Sequence, residues 1–154
     1  MDQNEYLYFL RRAFDGMINA LEELGDELAN VEPSPGRTNS AYAIAYHCTA
    51  VADYWIGHIV AGRPVDRDRD SEFAARGTVA ELKRGLDPLF DRLRDDLRRA
   101  GGRTLPRNAP PPSYEGPDRR LTSVGVQLHV LEELAQHHGQ IEITRDTLLD
   151  GAGR

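Results

Sequence analysis

The sequence has only one cysteine, Cys48, among its 154 residues, which excludes an intrachain disulfide. It also lacks an apolar run approaching the length of a membrane span. The N-terminus shows no basic segment followed by an apolar one, as a secretory signal would. We therefore expect a cytoplasmic protein that does not bind membranes and whose fold does not depend on disulfides.

An excess of positive charge is absent as well. The 19 basic residues are outnumbered by 25 acidic ones, and the formal net charge is −6. Because nucleic-acid binding needs a basic face, the composition predicts no nucleic-acid partner. A chain of this length fits a single domain, residues 1–154, and can bury a core without help from a structural metal.

Apolar residues recur with helical spacing in four segments, which predicts an all-α fold built as a four-helix bundle. The segments are roughly 4–29, 39–61, 78–99 and 119–149. In the first of them the spacing alternates between three and four residues, a narrow stripe suited to nearly antiparallel packing. No alternation typical of strands and no internal repeat is present.

Local signals mark the helix starts. Asn39 or Ser40 is expected to cap the second helix, since either side chain can accept a hydrogen bond from a free amide of the first turn. Thr78 and Glu81 form a capping-box pattern before the third helix. Asp118 is the expected cap of the fourth.

Two further residues are expected to interrupt helices. Pro88 lies inside the third helix, where it removes a hydrogen bond and crowds the preceding turn, so we expect a kink or break there. Gly151 is expected to end the fourth helix.

Long connections precede and follow the third helix, over residues 62–77 and 100–118. Long structureless connections in a compact domain are often functional or cover a site. The first could be the long crossover between helices 2 and 3 that some four-helix bundles use. We interpret its alternating charges, at residues 66–70, as a solvated loop.

A candidate metal site is carried by the apolar faces of the second and fourth helices. His47 shares the buried face of its helix with apolar neighbours. Glu133 and His137 are four residues apart and therefore project from one side of theirs. A buried carboxylate needs a cation or a hydrogen-bond partner, and bundle cores bind metals with such side chains. The sequence thus indicates one divalent metal held by His47, Glu133 and His137.

The Glu133–His137 pair and His47 each also have a simpler interpretation, and helical periodicity does not decide between it and a metal site. A Glu–His pair four residues apart is usually a surface pair worth a few tenths of a kcal/mol. A single histidine on an apolar face is more often a satisfied core residue. If the three side chains do meet, two nitrogens and one oxygen leave tetrahedral Zn²⁺ an open position, as in catalytic sites. We favour zinc, although Fe²⁺, Ni²⁺ or Mn²⁺ would also fit.

Other polar residues are weaker candidates. His58 lies about 16 Å further along the second helix, too far to share the ion. His129 could line the rim of the pocket, and His138 is expected to pack or to support a ligand. Together with Gln140 they are candidates to orient ligands or the substrate. Cys48 is interpreted as a small core residue.

Two segments resemble the helix signatures of the DinB/YfiT-like superfamily. Residues 45–55, AYHCTAVADYW, place a histidine two turns before a tryptophan, as the second-helix signature does. Residues 128–141, LHVLEELAQHHGQI, contain the His-x-Gly-Gln ending of the last-helix signature. The resemblance covers nearly the whole chain. It implies an up-down-down-up bundle, often a homodimer, and by position it implies the ligands His47, Glu133 and His137.

Many members of the superfamily have a histidine at the position of Glu133. The glutamate resembles the branch containing mycothiol-dependent maleylpyruvate isomerase, whose zinc is bound by His, Glu and His. That isomerase has an additional C-terminal domain which these 154 residues do not include, so its own reaction is not carried over. The resemblance implies a metal site to which a low-molecular-weight thiol such as mycothiol binds.

Three functions remain open from the sequence. The first is a metal-dependent thiol S-transferase, in which a metal-bound thiolate attacks a small electrophile. The second is a metal-dependent hydrolase, in which the metal activates water, although Glu133 as a ligand leaves no obvious general base. The third is a non-catalytic metal-binding or stress-response bundle. We favour the first.

Overall fold

The computed structural model describes residues 1–111 and 119–152, and in these residues the chain forms helices and no strands. The helices are α1 (Gln3–Ala29), α2 (Ala41–Ala52), α3 (Arg69–Glu72), α4 (Val79–Ala100) and α5 (Ser123–Ala152). A π-helix, Asp53–Val60, directly continues α2. The predicted all-α bundle of four long helices is confirmed, and the short α3 is an addition within the crossover. No described helix has the length and apolar character that a bilayer span requires.

Contacts along α1 set the direction of two other helices. Gln3, at the start of α1, donates a hydrogen bond to the carbonyl of Leu97, near the end of α4, so α1 and α4 are antiparallel. Arg145, late in α5, pairs with Glu23, late in α1, at 3.4 Å. Helices α1 and α5 are therefore parallel.

Ring contacts set the direction of α2. The His47 ring lies 5.2 Å from that of His137, and the Trp55 ring lies 5.1 Å from that of His129. As the chain advances along α2 into the π-helix, its partners recede along α5, so the two are antiparallel. The order is up-down-down-up, and the crossover of residues 61–78 joins the two parallel helices.

The predicted caps at the starts of α2 and α4 are present. The Ser40 side chain accepts from the amide of Ala43. Thr78 and Glu81 form the complete capping box, each side chain accepting from the other residue's amide. These caps satisfy amides that have no partner inside the helix.

The start of α5 differs from the prediction. The helix begins at Ser123 rather than at 119, and the predicted cap, Asp118, lies outside the described residues. The hydroxyl of Thr122 accepts from the amide of Gly125 instead, which is an N-cap contact. The threonine therefore provides the cap nearest to the observed helix start.

The predicted break at Pro88 and the predicted helix end at Gly151 are both wrong, whereas a kink at Pro88 stays a prediction. Helix α4 passes through Pro88 without a non-helical residue. Proline removes the amide that would bond the carbonyl of Arg84, but both residues are exposed, so water can replace that donor. Helix α5 continues through Gly151, which lacks the positive φ of a glycine cap, whereas Gly101 after α4 has it, at 61°.

The core lies between the four long helices. Its largest buried side chains come mainly from α1, the α2 and π-helix unit, and α4, and include Leu10, Met17, Trp55, Ile56 and Leu93. Helix α5 contributes the buried aliphatic residues Val126, Val130, Leu134 and Ile141. Because these residues form one apolar stripe on α5, the polar residues beside the stripe lie at the edge of the interface between α5 and α2.

Candidate metal centre

His47 occupies a buried position on α2, with 4% of its surface exposed. Its Nδ1 lies 2.6 Å from Oε2 of Glu72 in α3. The ring stacks on that of Phe73, with centroids 4.6 Å apart, and meets the His137 ring edge-on. Its orientation is therefore fixed by a hydrogen bond at one edge and by an aromatic ring on one face.

Glu133 and His137 lie one turn apart on α5, and both are partly buried. Oε2 of Glu133 is 3.7 Å from Nε2 of His137. Nδ1 of His137 is 3.0 Å from Oε1 of Gln140. Since an amide oxygen only accepts, this contact places the His137 proton on Nδ1 and leaves the Nε2 lone pair available.

The structure brings His47, Glu133 and His137 together. One ligand atom from each lies within 4.8 Å of the other two. Two atoms bound to one zinc ion at about 2 Å can be no more than about 4 Å apart. Side-chain movements of about 1 Å would therefore bring the three ligand atoms within binding distance of one ion. In both histidines Nδ1 already has a partner, so Nε2 is the nitrogen left for an ion. The donor set thus fits a divalent metal, and metal binding itself stays a prediction.

A cavity of about 560 Å³ opens beside the three side chains. One part of its wall is aromatic or apolar and consists of Val51, Tyr54, Trp55, Phe73 and Pro111. The other part is polar and includes Arg67, Arg69, His129 and Gln136. Such a mixture of apolar walls and a few polar groups is typical of small-molecule sites.

The crossover supplies two residues that the sequence interpretation missed. Glu72 is only 2% exposed, and its carboxylate accepts from Arg67 at 2.7 Å and 2.9 Å. The Arg67 guanidinium also lies 5.4 Å from the centroid of the Tyr54 ring. The solvated-loop interpretation is therefore wrong for Arg67, although its neighbours Asp66 and Asp68 are exposed. The sequence signal was Glu72-Phe73, which ends the polar run with an aromatic residue.

Glu72 remains ionised at neutral pH. Burial raises the pKa of its carboxyl, but hydrogen bonds from His47 and Arg67, together with the charge of Arg67, outweigh burial and lower the pKa to about 2. The buried carboxylate is thus stabilised by two hydrogen-bonding partners.

Of the weaker candidate residues, two lie at the site and two lie away from the three clustered side chains. Gln140 contacts a candidate ligand, and His129 lines the cavity while almost fully buried. His138 lies on the other side of α5, where its ring packs against Gly16 of α1. His58 stacks on Tyr54 and is not among the three clustered groups.

Cys48 is fully buried, as the core interpretation predicted. Burial, together with the nearby carboxylates Glu133 and Glu72, raises the pKa of its thiol. A thiol in this state is a poor nucleophile and a poor metal ligand.

These observations define a class of protein: an up-down-down-up helical bundle in which α2 and α5 present two histidines and a glutamate to a cavity. The sequence agrees with that class, because the family model of the DinB superfamily matches residues 10–141. The chain belongs to the DinB superfamily, whose members commonly bind metal. No curated protein and no solved structure matched the chain.

Proposed function

We propose that the protein is a divalent-metal-dependent thiol S-transferase, with zinc as the favoured ion. It would join a low-molecular-weight thiol such as mycothiol to a small electrophile. The observation that carries the proposal is the clustering of His47, Glu133 and His137 within 4.8 Å beside a cavity of about 560 Å³. Among the described residues, no fourth His, Cys, Asp or Glu joins this cluster. Three ligands leave a metal position for an exogenous group.

Each part of the site has a distinct task in this proposal. The two imidazoles and Glu133 hold the ion, which when bound favours the deprotonated form of a coordinating thiol. Tyr54, Trp55 and Phe73 line one side of the cavity, where they exclude water and make the wall apolar. Arg69 at the cavity wall makes no described hydrogen bond and is free to bind a polar group of the substrate.

Elemental analysis tests the metal site. Protein purified without chelator or nickel affinity resin should contain close to one divalent ion per chain. His137→Ala should remove it, since a ligand nitrogen is lost. His138→Ala is the matched control, because the neighbouring histidine faces α1, and it should keep the metal. Equal metal content in both variants, or none in the wild type, would contradict the site.

Conjugation assays test the reaction. The protein is incubated with a model aryl halide and with mycothiol, bacillithiol or glutathione in turn, before and after treatment with chelator. We expect conjugation with at least one thiol, its loss with chelator, and its return on adding Zn²⁺. Absence of chelator-sensitive conjugation with every thiol would rule out the S-transferase while leaving the metal measurement unaffected.

The hydrolase alternative is less well supported. It requires a general base near the metal-bound water. Glu133 is assigned to the metal, and the Glu72 carboxylate is engaged by His47 and Arg67. Hydrolysis of simple esters or amides without added thiol would nevertheless favour it. Homodimerisation and a cytoplasmic location stay predictions.

A further inference from the structure

We infer that Glu72 is a positioning residue of the candidate metal centre: held by Arg67, it fixes the tautomer and orientation of His47. This inference rests on the metal site of the proposed function. Glu72 belongs to the crossover, outside the four long helices. It contacts the candidate metal ligand His47 and is not itself one of the three candidate ligands.

The contact between Glu72 and His47 determines which imidazole nitrogen carries the proton. Both oxygens of Glu72 already accept hydrogen bonds from Arg67, so in the 2.6 Å contact Nδ1 of His47 is the donor. The neutral imidazole then has its lone pair on Nε2, the form that binds a metal. Hydrogen bonds of this kind orient metal-binding histidines and raise their basicity.

Arg67 determines how the carboxylate is presented. Its Nε donates to Oε1 at 2.7 Å and its Nη2 to Oε2 at 2.9 Å, a two-point contact that fixes the plane of the carboxylate. Oε2 therefore accepts from both Arg67 and His47. Because the arginine also neutralises the charge of Glu72, the carboxylate is less able to leave His47 and bind the ion itself.

The local fold of the crossover places these groups. The Asp68 side chain caps the single turn of α3 by accepting from the amide of Ser71. At the end of that turn, Glu72 meets the edge of the His47 ring, and Phe73 covers its face. The other histidine, His137, obtains its Nδ1 partner from its own helix. Of the two, His47 is thus the ligand that depends on the crossover.

The experiment compares metal binding by Glu72→Gln and the wild type, using Zn²⁺ competition with a chromophoric chelator and the absorption spectrum of bound Co²⁺. The amide keeps the shape of the side chain but loses the charge, and its NH₂ group opposes Arg67. We expect Zn²⁺ affinity to fall by about 10- to 100-fold, and the Co²⁺ bands to shift as His47 loosens.

Asp96→Asn is the matched control. Asp96 is also buried and also paired with a crossover arginine, Arg63, but its hydrogen bonds do not reach the cluster. Zn²⁺ affinity and the Co²⁺ spectrum of this variant should equal those of the wild type. Wild-type affinity and spectrum in Glu72→Gln, or an equal loss in Asp96→Asn, would overturn the inference. If Glu72→Gln does not fold, Arg67→Met is measured instead, with the same direction expected.

Nuclear magnetic resonance of the metal-free protein separates this inference from the proposed function. Two-bond ¹H–¹⁵N correlations of the imidazole should show His47 as the Nδ1–H tautomer in the wild type and a mixture of tautomers in Glu72→Gln. Identical tautomers in the two proteins would overturn the role of Glu72. A wild type that binds no metal but shows the expected tautomer change would refute the metal centre and leave the Glu72–His47 interaction established.

Discussion

Glu72 and Asp96 are both buried carboxylates, with 2% and 1% of their surfaces exposed, and each is paired with an arginine of the crossover. The third residue in each cluster differs. Glu72 accepts from His47, whereas the arginine of Asp96, Arg63, also donates to a second carboxylate, Asp53, at 2.7 Å. Burial and an arginine alone therefore do not mark a functional acid. The role of a buried carboxylate depends on the third residue in its cluster, here His47 for Glu72 and Asp53 for Asp96.

The two acids also differ in the direction of their pKa shifts. Burial raises the pKa of Asp96 and the charge of Asp53 raises it further, which together outweigh the bonds and charge of Arg63. For Glu72 the two hydrogen-bonding partners outweigh burial and the pKa falls to about 2. We infer that the Asp96 cluster fastens the crossover to α4, and that the Glu72 cluster fastens it to the candidate metal centre.

Arg63→Met should have the largest effect on stability. It leaves Asp96 buried without its cation and beside Asp53, and breaking a buried ion pair from one side costs about 3–5 kcal/mol. Urea unfolding measures the loss, and metal content per folded chain should not change. A cost below about 1 kcal/mol would mean that water already reaches Asp96.

Acid unfolding should show opposite trends for the two carboxylates. The folded pKa of Glu72, about 2, lies below its ordinary value of 4.5, so its contribution is fully present above pH 4.5 and is lost as the pH falls towards 2. The folded pKa of Asp96 lies above its ordinary 3.8, so its contribution is present below pH 3.8 and is lost as the pH rises through the folded pKa.

The measurement is urea unfolding of metal-free protein between pH 3 and about 6, for the wild type, Glu72→Gln and Asp96→Asn. The advantage of the wild type over Glu72→Gln should grow with pH, by something of the order of 2 kcal/mol. Its advantage over Asp96→Asn should shrink over the same range. Parallel trends for the two variants would show that the two clusters are electrostatically alike.

Gly57→Ala should disturb the Asp96 cluster from the π-helix. A Cβ at this position would lie 2.2 Å from Nη2 of Arg63, so the guanidinium would have to move away from its two carboxylates. Crowding of this kind costs about 1–3 kcal/mol. Thermal unfolding measures it. A wild-type melting temperature would show that Arg63 can shift without losing its partners.

Gly85→Ala should give the smallest change, and of the opposite sign. Gly85 lies within α4, and a Cβ there would meet nothing within 4 Å. Alanine favours a helix by up to about 1 kcal/mol over glycine, so the variant should unfold at a higher temperature. Comparing the melting temperatures of Gly85→Ala and Gly57→Ala distinguishes the effect of helix propensity from the effect of displacing Arg63. Destabilisation by Gly85→Ala would contradict the open surroundings of that position.

Interactions within one helix could be predicted from the sequence. Thr78 and Glu81 are three residues apart, and Glu133 and His137 are four, so helical geometry alone brings each pair together. The same local reasoning predicted a break at Pro88, and that break does not occur. The cost of the proline depends on whether water can reach the carbonyl it leaves without a donor, and that is decided by which side of α4 faces solvent.

The sequence by itself determined the four long helices, the facing pair Glu133 and His137, and the apolar face that carries His47. Only the tertiary structure decided that His47 meets that pair and that Glu72 and Arg67 close over it from the crossover. The physical reason is distance along the chain. Helical spacing fixes angles over a few residues, whereas residues 47, 72 and 137 are brought together by the packing of whole helices and by the path of the connection between them.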